Sequence, residues 1–327
     1  MSVVVTRDYK SADTFLDQLA PRGPLFGGTE SVGSKTNRGD AWVFRGHSDD
    51  RYFLIPSAFR GERAFSKFDS RLCDSNESQI RAEIEILRRF FNLADANGLP
   101  LPEDSQLLRA TIDGLNTERY FKGLLDGSEK WPPRELWSLL GIAQHYGVPT
   151  RLLDWTRSAK IASYFAASGA AKQLDSAKNA DERAKLRKNK LCVWAFAFDR
   201  YISYFDPDNA SFFSEPVPTE SPVAKITAPH AHNPNLHAQD GLFSLQIQTQ
   251  RRRLDKPVKP EALHTFAAKS LKKRGGSYRR DLFYRIRLPW GEARYLMWRL
   301  MQEGLGQATI FPGYGGVVGA LEEESKY

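Results

Sequence analysis

Two hydrophobic periods run along the chain, and they divide it unevenly. Over 76–97, NESQIRAEIEILRRFFNLADAN, residues Ile80, Ile84, Leu87 and Phe91 recur at helical spacing, and Gly98, Pro100 and Pro102 end the run, which predicts a long amphipathic helix. Shorter helices are predicted over 11–20 behind a Ser11 cap, over 134–147 between Pro132-Pro133 and Gly147, over about 157–171, and over EARYLMWRLMQEGLG before ATIFP and a glycine-rich tail. Extended patterns lie at AWVFRG (41–46), KLCVWAFAFD (190–199), SPVAKITAP (221–229), FSLQIQ and LFYRIRLP, where β-branched and aromatic residues crowd together. The stretch from Lys172 to Lys190 carries both signs of charge and no aromatic residue, so it reads as a solvated helix or loop. Helices fill the first half and strands the second, with no internal repeat. The class expected is therefore α+β, a helix-rich N-terminal half packed on a mixed, mainly antiparallel sheet, and not a regular βαβ alternation. Residues 1–40 read as a helix and loop, 41–320 as one main domain with a helical insertion at about 60–135, and 321–327 as a tail.

Composition narrows the function classes. The chain has 327 residues with 41% apolar and 26% charged, the balance of a globular protein. No apolar window reaches the length of a membrane span, and MSVVVTRDYKSADTF has no apolar signal core, so a cytoplasmic location without membrane contact is expected. Cys73 and Cys192 lack disulfide-framework or metal-ligand spacing and are expected as buried thiols.

Net charge is +8, but 13 basic residues lie within 251–290 against three acidic ones, a local excess of +10. This segment includes Arg251, Arg252, Arg253, Lys272, Lys273, Arg274, Arg279 and Arg280, interleaved with Tyr278, Phe283, Tyr284 and Trp290. Cations among aromatic rings suit a polyanion, because phosphates bind the cations and unpaired bases stack on the rings. Nucleic acid is the partner expected, with a solvated surface loop as the alternative.

Three segments carry more polar detail than packing requires: FRG (44–46), AQHYGVPTRLLDWTRSAKIASYFAA (143–167) and NPNLHAQDGLF (233–243). Arg45 follows an aromatic strand and precedes a glycine, where a guanidinium can reach phosphate oxygens in bidentate fashion; an ion pair with Asp154 is the competing reading. In 150–156, Leu152 and Leu153 would anchor the segment while Thr150, Arg151, Asp154, Trp155 and Thr156 offer polar or stacking groups. His145 ends a helix and reads as a cap or core residue, or as a site residue. His230, His232 and His237 cluster, but Pro229 and Pro234 make the segment a loop and no fourth ligand has characteristic spacing, so no metal is assigned. Nucleophile elbows, phosphate loops and dinucleotide glycine fingerprints are absent, which disfavours serine hydrolases, NTPases and Rossmann oxidoreductases.

These blocks, together with IFPGYGG, resemble the FRG-domain family, named for the Phe-Arg-Gly standing here at 44–46, and the resemblance runs from about residue 40 to 320. Asn235 and Asp240 depart from the family pattern, whereas Gln239, Gly241 and Phe243 fit it. The family's glutamate before a Leu-x-x-Phe helix maps onto Glu83. The order of strand arginine, Thr/Ser turn with following helix, and late glutamine loop is also similar to ADP-ribosyltransferases. That similarity implies an ADP-ribosyltransferase-like fold and NAD as cosubstrate, with Arg45, Asp154, Gln239 and Glu83 as catalytic candidates. His145, Thr150, Arg151, Trp155 and Thr156 would join Arg45 in holding NAD. The expected function is an ADP-ribosyltransferase-like toxin or phage-defence effector that modifies nucleic acid, with an antitoxin or immunity protein as a second partner. A non-catalytic nucleic-acid-binding module, or a nuclease or NAD glycohydrolase, are the alternatives.

Overall fold

The computed structural model describes residues 3–20, 25–26, 42–61, 64–68, 73–115, 117–205, 221–227, 234–247, 254–256, 260–275, 278 and 281–326. Among the described residues there are seven strands: β1 (Val4–Asp8), β2 (Trp42–His47), β3 (Leu152–Thr156), β4 (Lys190–Ala197), β5 (Val223–Ile226), β6 (Gly241–Gln246) and β7 (Phe283–Pro289). They form one sheet in the order β1-β7-β4-β2-β3-β6-β5, antiparallel throughout except for β1 beside β7. The mixed, mainly antiparallel sheet and the α+β class agree with the hydropathy pattern. Strand β1, to which that pattern assigns no element, places residues 4–8 in the same sheet as β7.

The helices are α1 (Ala12–Leu19), α2 (Asn76–Ala96), α3 (Gln106–Gly114), α4 (Glu118–Asp126), α5 (Trp137–His145), α6 (Ala159–Asp175), α7 (Ala180–Leu186), α8 (Phe198–Ser203), α9 (Pro234–Ala238), α10 (Leu263–Arg274), α11 (Ala293–Gln302), α12 (Gln307–Ile310) and α13 (Tyr314–Glu324). Their ends obey local chemistry. Ser11, Ser75 and Ser158 cap α1, α2 and α6 by accepting amide hydrogen bonds, and Gly147 after α5 takes φ +86°. The mixed-charge stretch after α6 contains α7, which buries no side chain. The glycine-rich C-terminal segment is not an irregular tail: α13 continues to Glu324 because Gly316 and Gly319 let it approach Phe311 and Gln307 more closely than any Cβ would allow. None of the described helices is long and apolar enough to cross a membrane.

Alternation along the strands sorts the core. Phe44, Leu191, Val193, Ala195 and Ile286 turn toward α6, α1 and α11, while Val43, Trp155, Trp194, Phe196 and Phe283 turn toward α8 and α10. Helices α2 to α5 form a second cover that packs on Leu152, Phe243 and Leu245 from β3 and β6. Strand β3 thus has Leu152 under one helical cover and Thr156 opposite Phe44 under the other. Asp154 lies between them.

Candidate functional site

The site begins with a weakness in the sheet. Strands β2 and β4 pair over six residues, but β2 and β3 pair only at Phe44 and Thr156. Arg45 occupies the resulting fork: its Nη1 donates to the main-chain oxygen of Asp154 at 2.8 Å and to Oδ2 of the same residue at 3.0 Å. Its Nε donates to Nε2 of His47 at 3.1 Å, and His47 Nδ1 lies 3.2 Å from the Tyr52 carbonyl. One pattern satisfies all these atoms, a neutral imidazole that accepts from Arg45 and donates to Tyr52. Burial, reinforced by the Arg45 charge, lowers the His47 pKa to about 3, which keeps the ring neutral at physiological pH.

The three residues of the Phe-Arg-Gly triplet have separate duties. Phe44 packs under α6. Arg45 enters the fork. Gly46 lies where α6 crosses β2, and a Cβ built there would stand 2.0 Å from the Ala162 oxygen.

On the far side of the fork, Gln144 at the end of α5 donates from Nε2 to both carboxylate oxygens of Asp154, at 3.2 and 3.1 Å. Thr150 donates from Oγ1 to Oε1 of Gln144 at 2.8 Å and accepts from the Leu152 amide at 3.1 Å. A continuous chain of hydrogen bonds therefore runs from Thr150 through Gln144, Asp154, Arg45 and His47 to the Tyr52 carbonyl. Each side chain in it is oriented by the next.

A cleft of about 660 Å³ opens on this chain, within the range of small-molecule sites. Arg45, Asp154 and Thr156 reach its wall from β2 and β3, Gln239 from the turn before β6, and Phe44 and Phe165 supply apolar surface. Gln239 is set by its neighbour: Asp240, at φ +45°, accepts from Arg157 Nη1 at 2.8 Å, and its carbonyl accepts from the Arg157 amide at 3.1 Å. Segment 51–60 closes the other side with Tyr52, Phe53, Ile55 and Arg60. The only carboxylate on the described wall is Asp154, already paired with Arg45. Arg51 is matched by Asp49, while among the described residues Arg60 bonds only the Ile55 carbonyl, at 3.0 Å, so the described wall carries an excess of positive charge.

Several sequence expectations are corrected here. Glu83 and Arg151, expected at catalytic and NAD-holding positions, are buried to 5% and 1% exposure and hold each other, with Arg151 Nε 2.7 Å from Oε2 and Nη2 2.8 Å from Oε1. Glu83 also accepts from Trp131 Nε1 and from Gln79, so it organises the α2–α5 cover, away from the cleft. Trp155 contributes to the wall, but its indole is packed against Phe196 and donates to Ser244 Oγ at 2.9 Å, which leaves no open face for a flat ligand. His145 packs on Tyr146 off the cleft wall, and Thr150 acts behind Gln144.

Lys272, Lys273 and Arg274 are exposed on the last turn of α10. Arg251, Arg252, Arg253, Arg279, Arg280, His230 and His232 lie outside the described residues. Among those described, no group of three His, Cys, Asp or Glu side chains could hold a metal ion. Cys73 and Cys192 are buried thiols, as expected, and burial raises the Cys192 thiol to about 12. Sequence reasoning missed Gln144, His47 and the 52–60 wall.

Residues 40–175 match the family model of the FRG domain, and the chain carries that domain. The matched segment contains Arg45, Gln144, Asp154 and Thr156; Gln239 comes from beyond it. No curated protein and no solved structure matches the chain.

Proposed function

We propose that the chain is an ADP-ribosyltransferase-like enzyme that uses NAD and transfers ADP-ribose to nucleic acid. The observation that carries this reading is the convergence of Arg45, Thr156 and Gln239, from β2, β3 and the turn before β6, on one cleft with excess positive charge. A dinucleotide fits the chemistry of such a wall: a guanidinium for the diphosphate, Phe165 for a ring, and a neutral amide where ribosyl cation character develops.

In this reading Arg45 binds the diphosphate oxygens. The Thr156 hydroxyl accepts from the Ser158 amide at 3.0 Å, which leaves its own proton for the ligand. The bond from C1′ to the nicotinamide nitrogen breaks and the neutral ring leaves with the electron pair. The Gln239 amide oxygen faces the resulting oxocarbenium-like centre. An acceptor N–H or O–H forms the new bond to C1′, and its proton passes to the Asp154 carboxylate.

The test is nicotinamide release from NAD, followed together with the mass of DNA, RNA and protein acceptors. An ADP-ribose adduct on nucleic acid that Arg45→Ala abolishes is the expected result; nicotinamide release retained in the variant overturns the assignment. An enzyme of this kind would act as a toxin or phage-defence effector restrained by an antitoxin or immunity protein, and host toxicity lost in Arg45→Ala is the cellular counterpart.

A second reading is favoured by the exposed Lys272, Lys273 and Arg274. A non-catalytic nucleic-acid-binding module would bind with steep salt dependence and consume no NAD.

A further inference from the structure

Segment 51–60 is held by its main chain and turns its rings outward. The Tyr52 carbonyl is bonded to His47, the Leu54 carbonyl accepts from the Leu263 amide at 2.9 Å, and the Ala58 amide donates to the Thr150 carbonyl at 3.0 Å. Leu54 and Ala58 are fully buried, whereas Tyr52 and Phe53 remain 53% and 61% exposed. A loop free to minimise apolar exposure would bury its two largest rings first. This one is pinned so that they stay out, which makes a preformed aromatic surface at the cleft mouth.

Cations stand beside it. Arg60 Nε is fixed on the Ile55 carbonyl, and its terminal nitrogens have no partner among the described residues. Arg60 shares the cleft wall with Arg45 and Asp154 and is near enough to feel both charges. Arg51, paired with Asp49, also lines the cleft, its side chain 73% exposed.

We propose that Tyr52, Phe53 and Arg60 form an acceptor subsite for single-stranded nucleic acid, in which the two rings stack on an unpaired base and Arg60 binds the adjoining phosphate. This rests on the transferase reading and deepens it by naming the acceptor. In a duplex both base faces are covered by neighbours, so the rings select an unpaired strand. Stacking is tolerant of base identity, so the subsite holds the strand in place without reading its sequence.

The experiment is fluorescence anisotropy of the full chain, without NAD, on a short labelled single strand, the same strand with abasic positions, and its duplex. Tyr52→Ala/Phe53→Ala should weaken binding of the single strand about tenfold or more, and the exchange Tyr52→Phe/Phe53→Tyr should restore it. The wild-type chain should bind the abasic strand as weakly as the alanine variant binds the intact one. Arg60→Gln should lower the salt slope by about one. Unchanged affinity in the alanine variant, equal affinity for intact and abasic strands, or tighter binding of the duplex overturns the subsite. Base-dependent binding that persists while no nicotinamide is released under any condition removes the transferase reading and leaves the subsite standing.

Discussion

Arg45 holds Asp154 twice, through a carboxylate oxygen at 3.0 Å and through the main-chain carbonyl at 2.8 Å. The second bond does not depend on what residue 154 is. Asp154→Asn should therefore keep Arg45 in its fork, with a stability change within about 1 kcal/mol because the Asp154 side chain is half exposed. Removing the carboxylate leaves Arg45 without a counter-charge, so ADP-ribose should bind more tightly than to the wild-type chain. Calorimetric titration with ADP-ribose checks the direction; weaker binding would mean that the carboxylate itself contacts the ligand.

Gln144 bears on activity without reaching the cleft wall. Gln144→Leu removes the two Nε2 hydrogen bonds to Asp154 and leaves Thr150 Oγ1 without its acceptor. Turnover of NAD should fall by about ten- to a hundredfold, as for other residues that orient a site side chain. The KM should change little, and Gln144→Glu should not rescue, since a carboxylate cannot donate to a carboxylate. Steady-state kinetics on the three proteins decides it.

The Glu83–Arg151 pair is a stability element. Glu83→Ala strands a buried guanidinium and should cost about 3–5 kcal/mol, visible as a large fall in the urea midpoint. Replacing both residues with leucine should recover part of that loss, the Trp131 Nε1 donor being left unmet. Per folded molecule, cleft chemistry should be untouched, so a folded Glu83 variant that has lost turnover would return Glu83 to the site.

Gly46→Ala probes the close crossing of α6 over β2. The obstacle is main chain, the Ala162 oxygen 2.0 Å from the new Cβ, so the helix has to shift as a body. A cost of about 3 kcal/mol is expected, at the upper end for overpacking. Denaturant unfolding measures it, and a midpoint within error of the wild type would mean that α6 yields at this crossing without loss of packing.

The neutral His47 sets a pH dependence. Its pKa is near 3 in the folded chain against an ordinary histidine value of 6.5, so between these values the unfolded chain binds a proton that the fold excludes. Stability should fall as pH drops below about 6.5, by up to about 1.4 kcal/mol per unit from this residue. Melting temperatures between about pH 7.5 and pH 5 should decline, and His47→Gln should flatten the slope. Identical slopes would mean that the imidazole is protonated in place.

The FRG triplet and the 143–167 block are legible in the sequence because each departs from packing logic, with polar groups set inside apolar runs. Arg45, Asp154 and Gln239 stand out that way, and strand, turn and helix fall where Leu152, Thr156 and Ser158 place them. Glu83 and Arg151 mislead for the same reason. Charged residues inside a motif look like site residues until the partner is seen, and theirs lies 68 positions away. The 51–60 wall leaves a fainter trace: RYFL sets two rings beside an arginine outside any helical period, but only the buried Leu54 and the bond from His47 show that those rings face outward. Gln144 looks like part of a helix end, and its role depends on a strand residue ten positions later.

The single backbone pair between β2 and β3 makes the sheet two plates, β1-β7-β4-β2 and β3-β6-β5, latched at Phe44 and Thr156. Beside that latch, the bond from Arg45 to the Asp154 carbonyl does the work of a missing rung. An anion that draws the guanidinium away would therefore loosen the seam as it binds, and the occupancy of the cleft and the set of the two plates become one mechanical variable.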